Sequence, residues 1–230
     1  MKPRLSRLSV VLVFSICAAI NSQAQERTAP FTAAEREAVY TASIEKRASN
    51  ILFALNITDA AAAGRVRDAI LAQYRALRAR DEAMDAMFKA LSANSPGIET
   101  NRSLLLPVLS QGLHSQFVER LSVSLTPEQI DIVKDKMTYN KVQVTYDAYC
   151  EIVPSLTEPE KTMILATLKE AREEAMDGGS SDEKSAIFQK YKDKINAYLT
   201  ARGHDVAKAT REWEDKKQQA DASAALPKNP

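Results

Sequence analysis

A Ser or Thr stands three residues ahead of a Glu or Gln, where a helical apolar pattern begins, at Thr32/Glu35, Thr126/Gln129, Thr157/Glu160 and Ser180/Glu183. That spacing lets two side chains satisfy free backbone N–H groups reciprocally at a helix start. Thr58 followed by Asp59 offers a simpler cap. Each start opens onto apolar residues three, four or seven apart, the period of one helix face. Ile44, Ala48, Ile51 and Leu55 follow Thr32; Val66, Ile70, Tyr74, Leu77, Phe88 and Leu91 follow Thr58. Later stripes are Ile130, Val133 and Met137; Ile164, Leu168, Ala171 and Ala175; and Ile187, Tyr191, Ile195 and Tyr198. Gly178-Gly179 and Gly203 read as helix stops, since glycine accepts the left-handed conformation.

Two stretches fall outside this pattern. Ala93 to Asn101 holds Asn94, Ser95, Pro96 and Gly97 and reads as a surface loop. Thr138 to Thr145 alternates Val142 and Val144 with polar residues, which predicts an extended connector with a short strand. The expected fold is therefore all-α, an array of six or seven mostly antiparallel helices with one extended connector.

The N-terminus carries Lys2, Arg4 and Arg7, an apolar run from Leu8 to Ile20, and then Ser22-Gln23-Ala24. That order reads as a cleaved signal peptide over residues 1–24, and thus a periplasmic or secreted protein. The apolar run is about 13 residues against the roughly 20 needed to cross a bilayer, so no stable membrane anchor is expected. Residues 25–217 read as a single helical domain. Residues 218–230, rich in Gln, Ala, Asp and Ser with Pro at the end, read as a disordered tail. Cleavage after Ala24 leaves Cys150 without an intramolecular partner, and its neighbours Tyr149, Ile152 and Val153 predict a buried free thiol.

The full chain has 31 basic and 30 acidic residues. Loss of the signal removes three basic residues, leaving a slight acidic excess and no basic stripe, which excludes nucleic acid as a partner on bulk charge. His114 and His204 have no second histidine or cysteine at ligand spacing, so no metal site is expected and each reads as an ordinary surface or core residue. No phosphate loop, dinucleotide fingerprint or nucleophile elbow occurs, and no cofactor is expected.

Two segments carry side chains suited to a site. Tyr139, Tyr146 and Tyr149 gather around Asn140 and Lys141, and tyrosine offers a flat face for stacking together with a hydroxyl for hydrogen bonding or proton transfer. Asp177-Gly178-Gly179-Ser180 joins two helices, where backbone N–H groups can hold an anion, although a stop followed by a cap explains it equally. It lacks the ligand spacing of a calcium loop. Tyr139, Tyr146, Arg172 and Asp177 are the candidate ligand-binding residues, with the tyrosine connector and the Asp177 turn expected on a common cleft. No catalytic residue is assigned.

Several of these segments together resemble an uncharacterised family of exported bacterial proteins, DUF3826. The resemblance rests on Asn56-Ile57-Thr58-Asp59, Arg65-Val66-Arg67-Asp68, Leu125-Thr126-Pro127-Glu128-Gln129, Met137-Thr138-Tyr139, Glu170-Ala171-Arg172-Glu173 and Ala175 to Ser181. The family pattern tends to glycine and proline in the connector, where this chain has Asn140 and Gln143. The resemblance implies an exported helical domain associated with bacteria that degrade plant polysaccharides; it implies no catalytic residues. Leu125 to Gln129 is also similar to the motif of the LTxxQ periplasmic chaperones.

Three functional readings follow. The first is an exported binding or helper protein linked to plant-polysaccharide utilisation, with an oligosaccharide or another exported protein as partner. The second is a carbohydrate-active lyase or hydrolase using tyrosine, arginine and carboxylate groups. The third is an LTxxQ-like chaperone with an exposed apolar cradle.

Overall fold

A computed structural model describes residues 31–92 and 102–224. Among them are eight helices and no strand: α1 (Ala33–Leu55), α2 (Ala60–Ser92), α3 (Arg102–Ser122), α4 (Pro127–Met137), α5 (Lys141–Ile152), α6 (Glu158–Met176), α7 (Ser181–Ala201) and α8 (Val206–Ala224). The expected signal segment and the loop at 93–101 lie outside the described residues. α8 carries helix through Gln218 to Ala224, into the stretch read as a tail, and residues 225–230 again lie outside.

Two compact units divide the chain between Ser43 and Ile44. In the first, the described residues open α1 with the Thr32–Glu35 box: the Glu35 carboxylate accepts from the Thr32 backbone at 2.7 Å and the Glu35 N–H donates to the Thr32 hydroxyl at 3.2 Å. Phe31 and Val39 are exposed there.

The second unit holds the core. The other three boxes form as the spacing predicts, with extended Thr126, Thr157 and Ser180 as N-caps of α4, α6 and α7. At α2 it is Asp59 rather than Thr58 whose side chain accepts from the first turn, at the Ala61 N–H, 2.9 Å. The apolar stripes meet as expected: Ile44, Ala48, Ile70, Ile164, Leu168, Ala171, Ala175 and Ile195 are wholly buried. Burial of each large aliphatic side chain contributes roughly 1.5–3 kcal/mol, so this interior supplies the main driving force. Phe117 and Leu121 of α3 join the core with under 2 % exposure.

The extended connector does not exist; its residues form α5. The alternation of Val142 and Val144 is incidental, because Val144 is 65 % exposed while Val142 is buried. The face that counts is Val142, Tyr146, Tyr149 and Val153, stepping by four, three and four into the cluster formed with α6, α7 and α8. With α5 a helix, the count rises to eight. The chain passes from α4 to α5 in a tight turn where Tyr139 (φ 59) and Asn140 (φ 54) are both left-handed. The Asn140 N–H closes α4 by donating to the Asp135 carbonyl at 2.7 Å. Asparagine tolerates this region because its short polar side chain can bond locally; tyrosine there costs roughly 1–2 kcal/mol.

Gly203 (φ 92) does end α7 as a left-handed stop. Gly178 and Gly179 do not, since neither has positive φ. Their role is close approach. A Cβ on Gly179 would stand 1.8 Å from Asp81 Oδ2, and one on Gly178 would stand 3.1 Å from Lys184 Cγ. Cys150 is free, as expected, but only half-buried, because it sits on the flank of the α5 face that Tyr149 leads.

Candidate functional site

The α6–α7 junction is built around two carbonyls at the end of α6, of which that of Ala175 also accepts from the Gly178 N–H at 3.2 Å. Lys184, 2 % exposed, reaches back from the first turn of α7 and donates its ammonium to the Ala175 and Met176 carbonyls at 2.8 and 3.3 Å, groups for which the helix itself has no donor four residues on. Burial brings its pKa down to about 8. Glu183 accepts from the Gly179 and Ser180 N–H groups at 2.7 and 3.2 Å, so the turn is fastened from both ends.

α2 and α3 close on this junction through an arginine. Arg80 is buried; its Nε and Nη2 donate to Asp81 Oδ1 at 2.9 and 2.7 Å, and its Nη1 donates to the Ser110 hydroxyl at 2.6 Å. One turn beyond Ser110 on α3, His114 lies between two carboxylates of α6. Its Nδ1 is 3.2 Å from Asp177 Oδ2 and its Nε2 is 3.5 Å from Glu173 Oε2. Glu173 and Asp177 share one face of α6 because they are four residues apart.

These contacts decide the charge states. The Asp177 hydrogen bond first, and then that of Glu173, outweigh burial and raise the His114 pKa to about 9, so the ring is an imidazolium at neutral pH. Burial pushes Glu173 upward, but hydrogen bonds from His114 and Lys134 and the nearby cations bring it down to about 2. Lys134 Nζ is 2.7 Å from Glu173 Oε2. Arg172 stands behind, 4 % exposed, donating to Asp135 at 2.9 Å, Asp131 at 2.7 Å and Glu173 at 3.2 Å. Its burial opposes the charge, yet those carboxylates raise its pKa.

A cleft of about 890 Å³ opens over this arrangement, between α3 and the α6–α7 hairpin. Its apolar wall is Val108, Ala186 and Ile187; its polar end is Gln111, His114, Glu173, Asp177 and Glu183, with Glu174 and Lys190 at the side. Glu174 is held by Lys190 at 3.0 Å and by the Tyr191 hydroxyl at 2.9 Å.

A family model described as a protein of unknown function, DUF3826, matches residues 41–219. That span takes in every residue of the cleft. The chain belongs to the DUF3826 family. No curated protein matches it.

Of the four residues singled out from the sequence, this DUF3826 chain brings only Asp177 into the cleft. Arg172 is one step removed, bonded to the lining residue Glu173. Tyr139 lies in the α4–α5 turn, 44 % exposed, and is not among the lining residues. Tyr146 is on α5, packed against the α5–α8 core, and its hydrogen bond with Cys150 raises its pKa. Tyr149 is buried, its hydroxyl donating to Asn196 Oδ1 at 2.7 Å. Sequence reasoning missed His114, read as an ordinary residue, and Glu173, to which it gave no role. Their available signal was the Glu173–Asp177 spacing on α6. Ile187, read as core, is a partly buried wall of the cleft.

Among the described residues no group of three His, Cys, Asp or Glu side chains is placed to hold a metal ion. Nor is any helix among them long and apolar enough to cross a membrane. A Ser-His-Asp relay is not formed at His114: one ring nitrogen faces Asp177, and the other faces Glu173 instead of a serine.

Proposed function

We propose that this protein is an exported ligand-binding domain with no chemistry of its own, and that the cleft between α3 and the α6–α7 hairpin is its binding site. One observation carries the reading: each carboxylate lining the cleft already holds a partner through at least one oxygen, and Asp177 Oδ1 alone among their buried oxygens has none. Asp177 and Glu173 hold His114, Glu174 is held by Lys190 and Tyr191, and Glu183 is bonded to the backbone of the turn. A general acid or base works best with a pKa near the operating pH. His114 at about 9 and Glu173 at about 2 stand on opposite sides of neutrality. Fixed polar groups beside an apolar wall are instead what a ligand site requires.

The lyase or hydrolase reading loses support because the cleft contains neither Tyr139 nor Tyr146, and Arg172 is already shared among three carboxylates. The chaperone reading loses its motif, since Thr126 and Gln129 serve as a formed capping box and Leu125 is buried beside it. The association with polysaccharide degradation and the exported location rest on the family resemblance and the N-terminal segment.

A thermal-shift and product screen of residues 25–230 against neutral, amino and uronic oligosaccharides tests the proposal. Stabilisation without turnover is the expected result. Release of product by the wild type that His114→Ala abolishes would refute it.

A further inference from the structure

α3 turns an uncharged face to solvent. Ser110, Phe117 and Leu121 are buried on one side of the helix, and Leu105, Leu109, Gly112 and Gln116, spaced four, three and four apart, lie exposed along the other. Leu105 is 40 % and Leu109 46 % exposed. From Ser103 to Val118 there is no Asp, Glu, Lys or Arg, in a chain of which 27 % is charged. A solvated helix face carries charge. Exposed apolar side chains with no charge among them are instead the composition of an interface centre.

Gly112 is an independent observation. Glycine inside a helix costs stability relative to alanine, and this one has no positive φ to require it. Nor does the surrounding chain: a Cβ on Gly178 or Gly179 would crowd a neighbour, whereas one on Gly112 would meet nothing within 4 Å. What a bare helix surface does allow is the close approach of a second helix.

The face matches itself. Without charge it can meet its own copy with no like-charge penalty, and it has no sign by which to select a charged partner. In an antiparallel pairing about a two-fold axis midway between Leu109 and Gly112, Leu109 of each copy enters the gap at Gly112 of the other. The same register sets Leu105 beside Gln116, and Glu119 beside position 102, where α3 begins with an arginine. We infer that this protein self-associates as a two-fold dimer through α3, with Leu105, Leu109 and Gly112 at its centre. One helix crossing of about 17 Å buries less than the roughly 800 Å² per partner of a standard interface, so the dimer is weak and reversible. The pairing does not depend on the ligand cleft, which opens along another side of α3.

Sedimentation velocity of residues 25–230 from about 1 µM to about 1 mM tests the pairing, with a dimer dissociation constant of about 10–100 µM expected. Leu109→Glu sets two carboxylates beside the axis and is expected to weaken the dimer at least about tenfold. Gly112→Leu fills the gap and is expected to weaken it as much, while melting no lower than the wild type because leucine favours helix. Its loss of dimer is then not a loss of fold. Val144→Glu, at a 65 % exposed position on α5, is expected to leave the dimer unchanged. A wild type that stays monomeric throughout, or grows past the dimer, overturns the proposal. So does a dimer that Leu109→Glu and Gly112→Leu both preserve.

Discussion

His114 and Asp177 are 63 residues apart in sequence and 3.2 Å apart in the fold, and this contact joins α3 to the end of α6. Glu173 takes the other side of the ring. The clasp has a definite pH dependence. The His114 pKa is raised from 6.5 to about 9, so its stabilisation is complete below about pH 6.5 and is lost as pH rises through 9. Glu173 is lowered from 4.5 to about 2, so its share is complete above about pH 4.5 and is lost as pH falls through 2. Chemical denaturation across pH is therefore expected to show both contributions in full between about 4.5 and 6.5. His114→Gln should cost on the order of 2 kcal/mol in that window and almost nothing near pH 10.

Lys184 opposes His114 in the alkaline range. Its pKa falls from 10.5 to about 8, so the folded protein gives up its proton first and stability rises with pH between those values. In the His114→Gln variant this arm stands alone, and stability is expected to increase between pH 8 and 10. Lys184→Met should abolish the increase, at a cost of about 1–3 kcal/mol for the lost ammonium bonds to the Ala175 and Met176 carbonyls.

Gly179 is required by its neighbour, not by its own backbone. Gly179→Ala forces Asp81 from its place, with an expected loss of about 1–2 kcal/mol. Removing the obstacle with Asp81→Ala should make the second change nearly free. A double-mutant cycle checks this, since additive losses would show that the two residues do not meet.

Much of this architecture could be read in the chain. All four capping boxes form, and the stripes behind those of α1, α4 and α6 are the buried faces of these helices; in α2 Leu91 is exposed, and in α7 the buried apolar face is Phe188, Tyr191, Ile195 and Leu199, with Ile187 and Tyr198 only partly buried. Replacing Thr126 or Ser180 with Ala should accordingly lower stability by about 1 kcal/mol each, measured by denaturant unfolding.

The failures have physical causes. α5 was hidden because it has no capping side chain: its N-cap is left-handed Asn140 without a side-chain hydrogen bond, and two valines two apart imitate a strand. The site was half legible. Asp177 could be found because the turn around it is conspicuous, whereas His114 owes its charge to partners on another helix, and no local pattern announces contacts between α3 and α6. The tyrosines drew attention as an aromatic group, but Tyr146 and Tyr149 are accounted for by helix packing. Tyr149→Phe should thus lower stability by about 1 kcal/mol through loss of its bond to Asn196, with ligand binding unchanged.

The most direct test of the account is calorimetric titration of wild type, Ile187→Arg and Tyr146→Phe with the strongest stabiliser from the oligosaccharide screen. Ile187 is only partly buried, so Ile187→Arg blocks the cleft with little effect on melting temperature. The account predicts that Ile187→Arg abolishes binding while Tyr146→Phe leaves it intact. Full binding by Ile187→Arg together with loss in Tyr146→Phe would contradict it and move the site to α5.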